Sequence, residues 1–139
     1  MNRTNLVLSL SLLVAAALGC SMYKDGKAAE PAIEKFHQQF NAKQFSEIYA
    51  DSGDQMKGAA TEKQLVDLLD AVYRKLGTVK DSKPVSWNVN SGPMTSLVSI
   101  SCDTEFSDGH GSETFLISVS GPNIKLEGYN INSAELITK

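Results

Sequence analysis

Hydrophobic and polar positions fall into three patterns along the chain. Leu6 to Leu18 is a continuous, mostly apolar run; from Ile33 to Leu76 apolar residues recur at helical spacing; from Val79 onward they alternate with polar ones. A helix is expected to begin near Glu30-Pro31, because proline is tolerated in a first turn and an early glutamate suits the positive helix end. Ile33, Phe36, His37 and Phe40 follow at i, i+3, i+4 and i+7, the spacing of one buried stripe. Phe45, Ile48 and Tyr49 predict a second, short helix before a loop at Asp51-Ser52-Gly53-Asp54. The clearest helix spans Glu62 to Leu76. Thr61 and Gln64 form a capping-box pair at its start, and Gly77 stands where a positive-φ cap is wanted. Leu65, Leu68, Leu69, Val72 and Leu76 line one side of it, flanked by Val66 and Tyr73.

Beyond Gly77 the period becomes two. Val85, Trp87 and Val89 form one strand, and Val98, Ile100, Cys102, Thr104 and Phe106 a second. Ser107 to Gly111 is expected as a hairpin loop, Phe115, Ile117 and Val119 as a third strand, and Ile124 to Ile131 as a fourth. Two to three helices followed by four strands, without helical crossovers, predict an α+β domain with helices packed on one face of an antiparallel sheet.

The apolar run near the start changes the picture. Arg3 precedes about 13 mostly apolar residues, inside the roughly 7–15 of a secretory signal and short of the roughly 20 that span a bilayer. Ala17-Leu18-Gly19-Cys20 resembles the lipobox of bacterial lipoproteins, with Ala17 where that family most often has leucine. The resemblance implies that residues 1–19 are a signal peptide and that Cys20 is lipidated as the mature N-terminus. It also implies a domain facing the periplasm, with Ser21 favouring the outer membrane. Ala15-Ala16-Ala17 offers a competing cleavage site that would leave Cys20 a free thiol in a soluble periplasmic protein. Residues 20–28 read as a polar tether, and 29–139 as a single domain. With 42% hydrophobic and 21% charged residues the chain is expected to fold. A net charge of -3 without a basic run argues against nucleic acid as a partner.

Several phrases are similar to those of small bacterial lipoproteins of unknown function whose domain is a nuclear-transport-factor-two-like or cystatin-like roll. They are Phe45 with Ile48-Tyr49, the Gln64 to Gly77 helix, Trp87-Asn88-Val89-Asn90, Glu113-Thr114-Phe115 and Gly128 to Ser133. The resemblance implies a curved four-stranded sheet; it implies no activity. Cys102 stands where that family often has an aromatic residue.

Candidate chemistry is sparse. His37, with Tyr49, Tyr129 or a carboxylate, is the best catalytic candidate, set against a core-edge histidine bonded to a neighbour. Trp87 and Tyr129 are candidate ligand contacts, set against core filling. Cys102 shares the apolar register of its strand and reads as a small buried hydrophobe. Asp103, Glu105 and Glu113 read as a solvated sheet surface, and His110 as an exposed hairpin residue. Neither C-x-x-C nor H-E-x-x-H occurs, so no metal or cofactor is expected. The reading reached is a membrane-anchored, non-catalytic envelope lipoprotein that binds a protein, a small ligand or an envelope polymer. The alternatives are a small hydrolase or isomerase using His37, and an inhibitor of an envelope-attacking enzyme.

Overall fold

The computed structural model describes residues 3–138, with residues 3–19, 21 and 22 described by backbone alone. The side-chain character of the apolar run at 6–18 therefore lies outside the described residues. Among those described, no helix is long and apolar enough to cross a membrane.

The elements are α1 (Arg3–Asn41), α2 (Phe45–Asp51), α3 (Asp54–Ala59), α4 (Glu62–Leu76), β1 (Val79–Ser91), β2 (Ser96–Phe106), β3 (Gly109–Ser120), β4 (Asn123–Asn132) and α5 (Glu135–Thr138). The strands form one antiparallel sheet in the order β1-β2-β3-β4. This is the α+β arrangement expected, with the helices packed on one curved face. Alternation places Val98, Ile100, Cys102, Thr104 and Phe106 of β2 and Phe115, Ile117 and Val119 of β3 on that face, all buried. Ala29, Ile33, Phe36 and Phe40 of α1, Phe45 and Ile48 of α2, Met56 of α3, and Leu65, Leu69, Val72 and Leu76 of α4 complete the core. Leu68, expected in that stripe, is 42% exposed, because it flanks the row that the i, i+4, i+7 and i+11 positions bury.

Helix α4 forms where its local signals place it. The Thr61 side chain accepts from the Gln64 backbone while the Gln64 side chain accepts from the Thr61 backbone, so two orphan N–H groups are satisfied. Gly77 takes φ 77° and donates its N–H to the Tyr73 carbonyl at 2.8 Å. A Cβ there would lie 1.9 Å from Ser107 Oγ, so only glycine admits the β2–β3 turn this close.

Four expectations need correction. Helix α1 does not begin at Glu30-Pro31; it passes through Pro31 and includes residues 20–28, which were read as a tether. An interior proline removes one helical bond and costs about 3 kcal/mol. Packing on its N-terminal side offsets that cost: Ala29 and Gly26 are buried, and Ser96 donates to Asp25 at 2.6 Å. The loop expected at 51–54 is instead the joint between α2 and a further short helix, α3. Glu127, at a bulge in β4, accepts the Gln55 N–H at 2.9 Å and the Ser118 hydroxyl at 2.8 Å, so that α3 docks on the sheet. The β2–β3 hairpin is tighter than expected, closing through Ser107 and Asp108 alone between paired Phe106 and Gly109. Finally, Val85 does not share a face with Trp87 and Val89. It is the extra residue between Pro84, paired with Cys102, and Ser86, paired with Ser101. That bulge flips the side-chain register, and Val85 is 63% exposed.

At its other end α1 is pinned to β1. Asn41 donates to the Val79 carbonyl at 3.0 Å and accepts the Val79 N–H at 2.8 Å, replacing the neighbour that an edge strand lacks there. The helix thus runs the length of the sheet, with its Cys20 end beyond the β1–β2 turn and its Asn41 end at the start of β1.

Candidate functional site

The period-two rule that buries Phe115, Ile117 and Val119 also turns Glu113 inward. Glu113 therefore does not share the wet surface expected for it with Asp103 and Glu105. It is 1% exposed, whereas Asp103 and Glu105 are exposed on the outer face. A carboxyl group buried so deeply requires donors, and three elements supply them. Thr104 of β2 donates to Oε2 at 2.6 Å, Tyr129 of β4 donates to Oε1 at 2.8 Å, and His37 Nε2 of α1 lies 2.8 Å from Oε2. Thr104 and Tyr129 give hydrogens to the carboxyl oxygens, and His37 completes the network as a third donor in the tautomer that carries its hydrogen on Nε2.

An aromatic shell closes the cluster. Phe36 packs edge-on to Phe115 with ring centroids 5.1 Å apart and lies 4.8 Å from Tyr129, while His37 meets the Phe115 ring at 5.6 Å. Burial, and then the adjacent Glu113, push the Tyr129 phenol well above its ordinary pKa, so it stays a donor. Among the described residues, no buried side-chain nitrogen or oxygen lacks a hydrogen-bond partner.

His37 touches the outside world at one place. Its side chain, 11% exposed, forms part of the wall of an open cleft of about 530 Å³ between α1 and β1, with Glu30, Glu34, Lys80, Asp81 and Ser82. The structure thus brings His37, Tyr129 and Glu113 together, and it leaves the other candidates elsewhere. Tyr49 donates to the Ala60 carbonyl at 3.1 Å, closing the α3–α4 joint, with Lys57 above its ring. Trp87 lies against Gly26 of α1 and meets the Tyr23 ring edge-on at 5.7 Å. His110 is exposed in β3 opposite Glu105. Among the described residues, no three His, Cys, Asp or Glu side chains gather as a metal site.

Cys102 adjoins the same cleft but is fully buried, and Cys20 and Cys102 are both unbridged. Burial pushes the Cys102 thiol up to about 11, a rise that a hydrogen bond with Ser82 reduces and Glu113 reinforces. A nucleophilic cysteine needs the opposite shift. In a Cys20→Ser chain at pH 8, the remaining thiol is expected to resist a disulfide reagent while folded and to react fully in denaturant. Rapid labelling of the folded chain would contradict its burial.

No known family model matches the chain, and no curated protein matches it significantly.

Proposed function

We propose that this chain is a lipid-anchored envelope protein, acylated at Cys20, that acts by binding a protein or small ligand. In this reading it is one of the small bacterial lipoproteins with a nuclear-transport-factor-two-like or cystatin-like roll, and it faces the periplasm from the outer membrane. The α+β architecture agrees with the roll, and the exposed position of Cys20 on α1 suits an anchor. The observation that carries the non-catalytic reading is the state of Glu113. Both its oxygens are occupied by internal donors, and an acid or base at work needs a lone pair or hydrogen directed at substrate. His37 has Nε2 committed to the same bond. The cluster reads as the polar core of a scaffold, which moves recognition to the outer surface. There, edge strand β1 presents mostly exposed residues, including Lys83.

The specific observation favouring an enzyme is the His37–Glu113 pair beside an open cleft. A photo-crosslinking residue at position 83, on the exposed face of β1, installed in the acylated protein in living cells, separates the two readings. A binding module is expected to give one discrete adduct, retained in a His37→Gln variant. The absence of an adduct at 83, with substrate turnover that His37→Gln abolishes in a folded protein, would support the enzyme.

A further inference from the structure

Four apolar side chains are left uncovered around one end of the molecule. Tyr23 is 59% exposed, Val85 63%, Trp87 44% and Met94 86%. They come from three separate segments, and the fold gathers them. Gly26 is the first cause. A Cβ on Gly26 would stand 1.6 Å from the Trp87 ring, so the bare helix backbone lets the indole lie against α1, where Tyr23 meets it edge-on. The bulge at Pro84/Ser86 is the second, since it brings Val85 out of the sheet to the rim of a groove shared with Tyr23, Lys27 and Trp87. The third is the contact between Asp25 and Ser96, which sets the β1–β2 turn carrying Met94 beside the same stretch of α1, next to Lys24.

The position of Cys20 says what covers them. Because residues 20–28 are helical, and the helix is held to the sheet from Asp25 and Gly26 onward, the anchor is not on a free tether but on a helical pillar. Cys20 and Tyr23 are three residues apart, on one face of the helix and about 4.5 Å apart along its axis. Cys20 lies about 7.5 Å beyond Asp25, where the helix holds the Met94 turn. Acyl chains on Cys20 therefore bring the headgroup layer to within about one or two helical turns of Tyr23, of Trp87 on Gly26 and of the Met94 turn, with Val85 next beyond Trp87 along β1. Tryptophan and tyrosine rings are the side chains that favour this layer, with an apolar body and a polar tip, and Lys24 adds a cation for lipid phosphates.

We propose that Tyr23, Val85, Trp87 and Met94 form a membrane-resting surface that lies in the interfacial layer of the leaflet holding the Cys20 lipid, fixing one orientation of the domain. This rests on the acylation of Cys20. The opposite end of the sheet, where the β2–β3 turn meets Gly77, then faces away from the membrane.

Trp87 is the sole tryptophan and so reports directly. The full acylated protein is reconstituted into vesicles of phosphatidylethanolamine and phosphatidylglycerol, with and without lipids brominated near the headgroup. Trp87 emission is expected to shift to shorter wavelength on reconstitution and to lose most of its intensity to the brominated lipids. Met94→Asp, at a turn position that does not disturb the core, is expected to weaken that quenching. An acylated protein that floats with the vesicles while Trp87 stays unquenched overturns the resting surface and leaves the anchor standing. A chain that carries no acyl group and does not float overturns both.

Discussion

Glu113→Ala is expected to destabilise the domain by about 3–5 kcal/mol, the largest loss of any single side chain outside the aromatic core. The substitution leaves the Tyr129 hydroxyl, the Thr104 hydroxyl and the His37 Nε2–H directed at an empty acceptor position inside the protein. Each orphaned donor costs about 1–3 kcal/mol, and the three cannot reach water together. Glu113→Gln keeps the shape and one oxygen but sets an NH2 group against donors, so a smaller loss of about 1–3 kcal/mol is expected. Glu105→Ala, on the exposed face of the neighbouring strand, is the control and is expected within about 0.5 kcal/mol of wild type. Denaturant unfolding of the three variants checks the ranking. Equal midpoints for Glu113→Ala and Glu105→Ala would mean that the carboxyl group is not the acceptor that joins α1 to the sheet.

Cys20→Ser is expected to have the largest effect on location. Each buried methylene contributes about 0.8 kcal/mol, so two or three acyl chains hold a protein to a bilayer where one holds it only transiently. Removing the sulfur proposed to carry them is expected to move the protein from the detergent phase to the aqueous phase almost completely. The apolar surface around Trp87 is too small to retain it alone. Since the Cys20 side chain takes part in no core contact, the variant is expected to unfold at the same denaturant concentration as the soluble form of the parent domain. A Cys20→Ser protein that remains in the membrane fraction would show that something other than this residue anchors the chain.

How far the sequence carries depends on whether a feature is local. The Thr61–Gln64 box, Gly77, the burial of Phe115 and Ile117 and the four-strand order depend on spacing within a few residues, and each stands in the structure where spacing puts it. Features that depend on a partner far along the chain were less legible. Pro31 signals a helix start, yet the buried contacts of Gly26 and Ala29 and the Asp25–Ser96 bond carry the helix through it. The bulge at Val85 arises from the register with β2 and leaves no mark in an apparently regular Val-Ser-Trp-Asn-Val alternation. Helix α3 is held by Glu127, 72 residues beyond the Gln55 it binds.

Glu113 is a different case. Its inward position follows from the parity of Phe115 two residues on, and the signal was masked by classing the residue with Asp103 and Glu105 because all three are acidic. His37 read correctly as a core-edge histidine with a bonded neighbour, but the sequence did not show which neighbour. Of the four candidate contacts, only His37 and Tyr129 share a site, because they alone lie opposite Glu113 on the covered face of the sheet.

In the proposed reading, a lipid on Cys20 gives the surface of the domain a direction. Intact-mass measurement of the protein extracted from membranes tests this most directly. The expected product begins at Cys20 and carries the added mass of a diacylglyceryl group, with or without a third acyl chain on its amine. A product that begins upstream of Cys20 with an unmodified thiol, recovered from the soluble fraction, would contradict it.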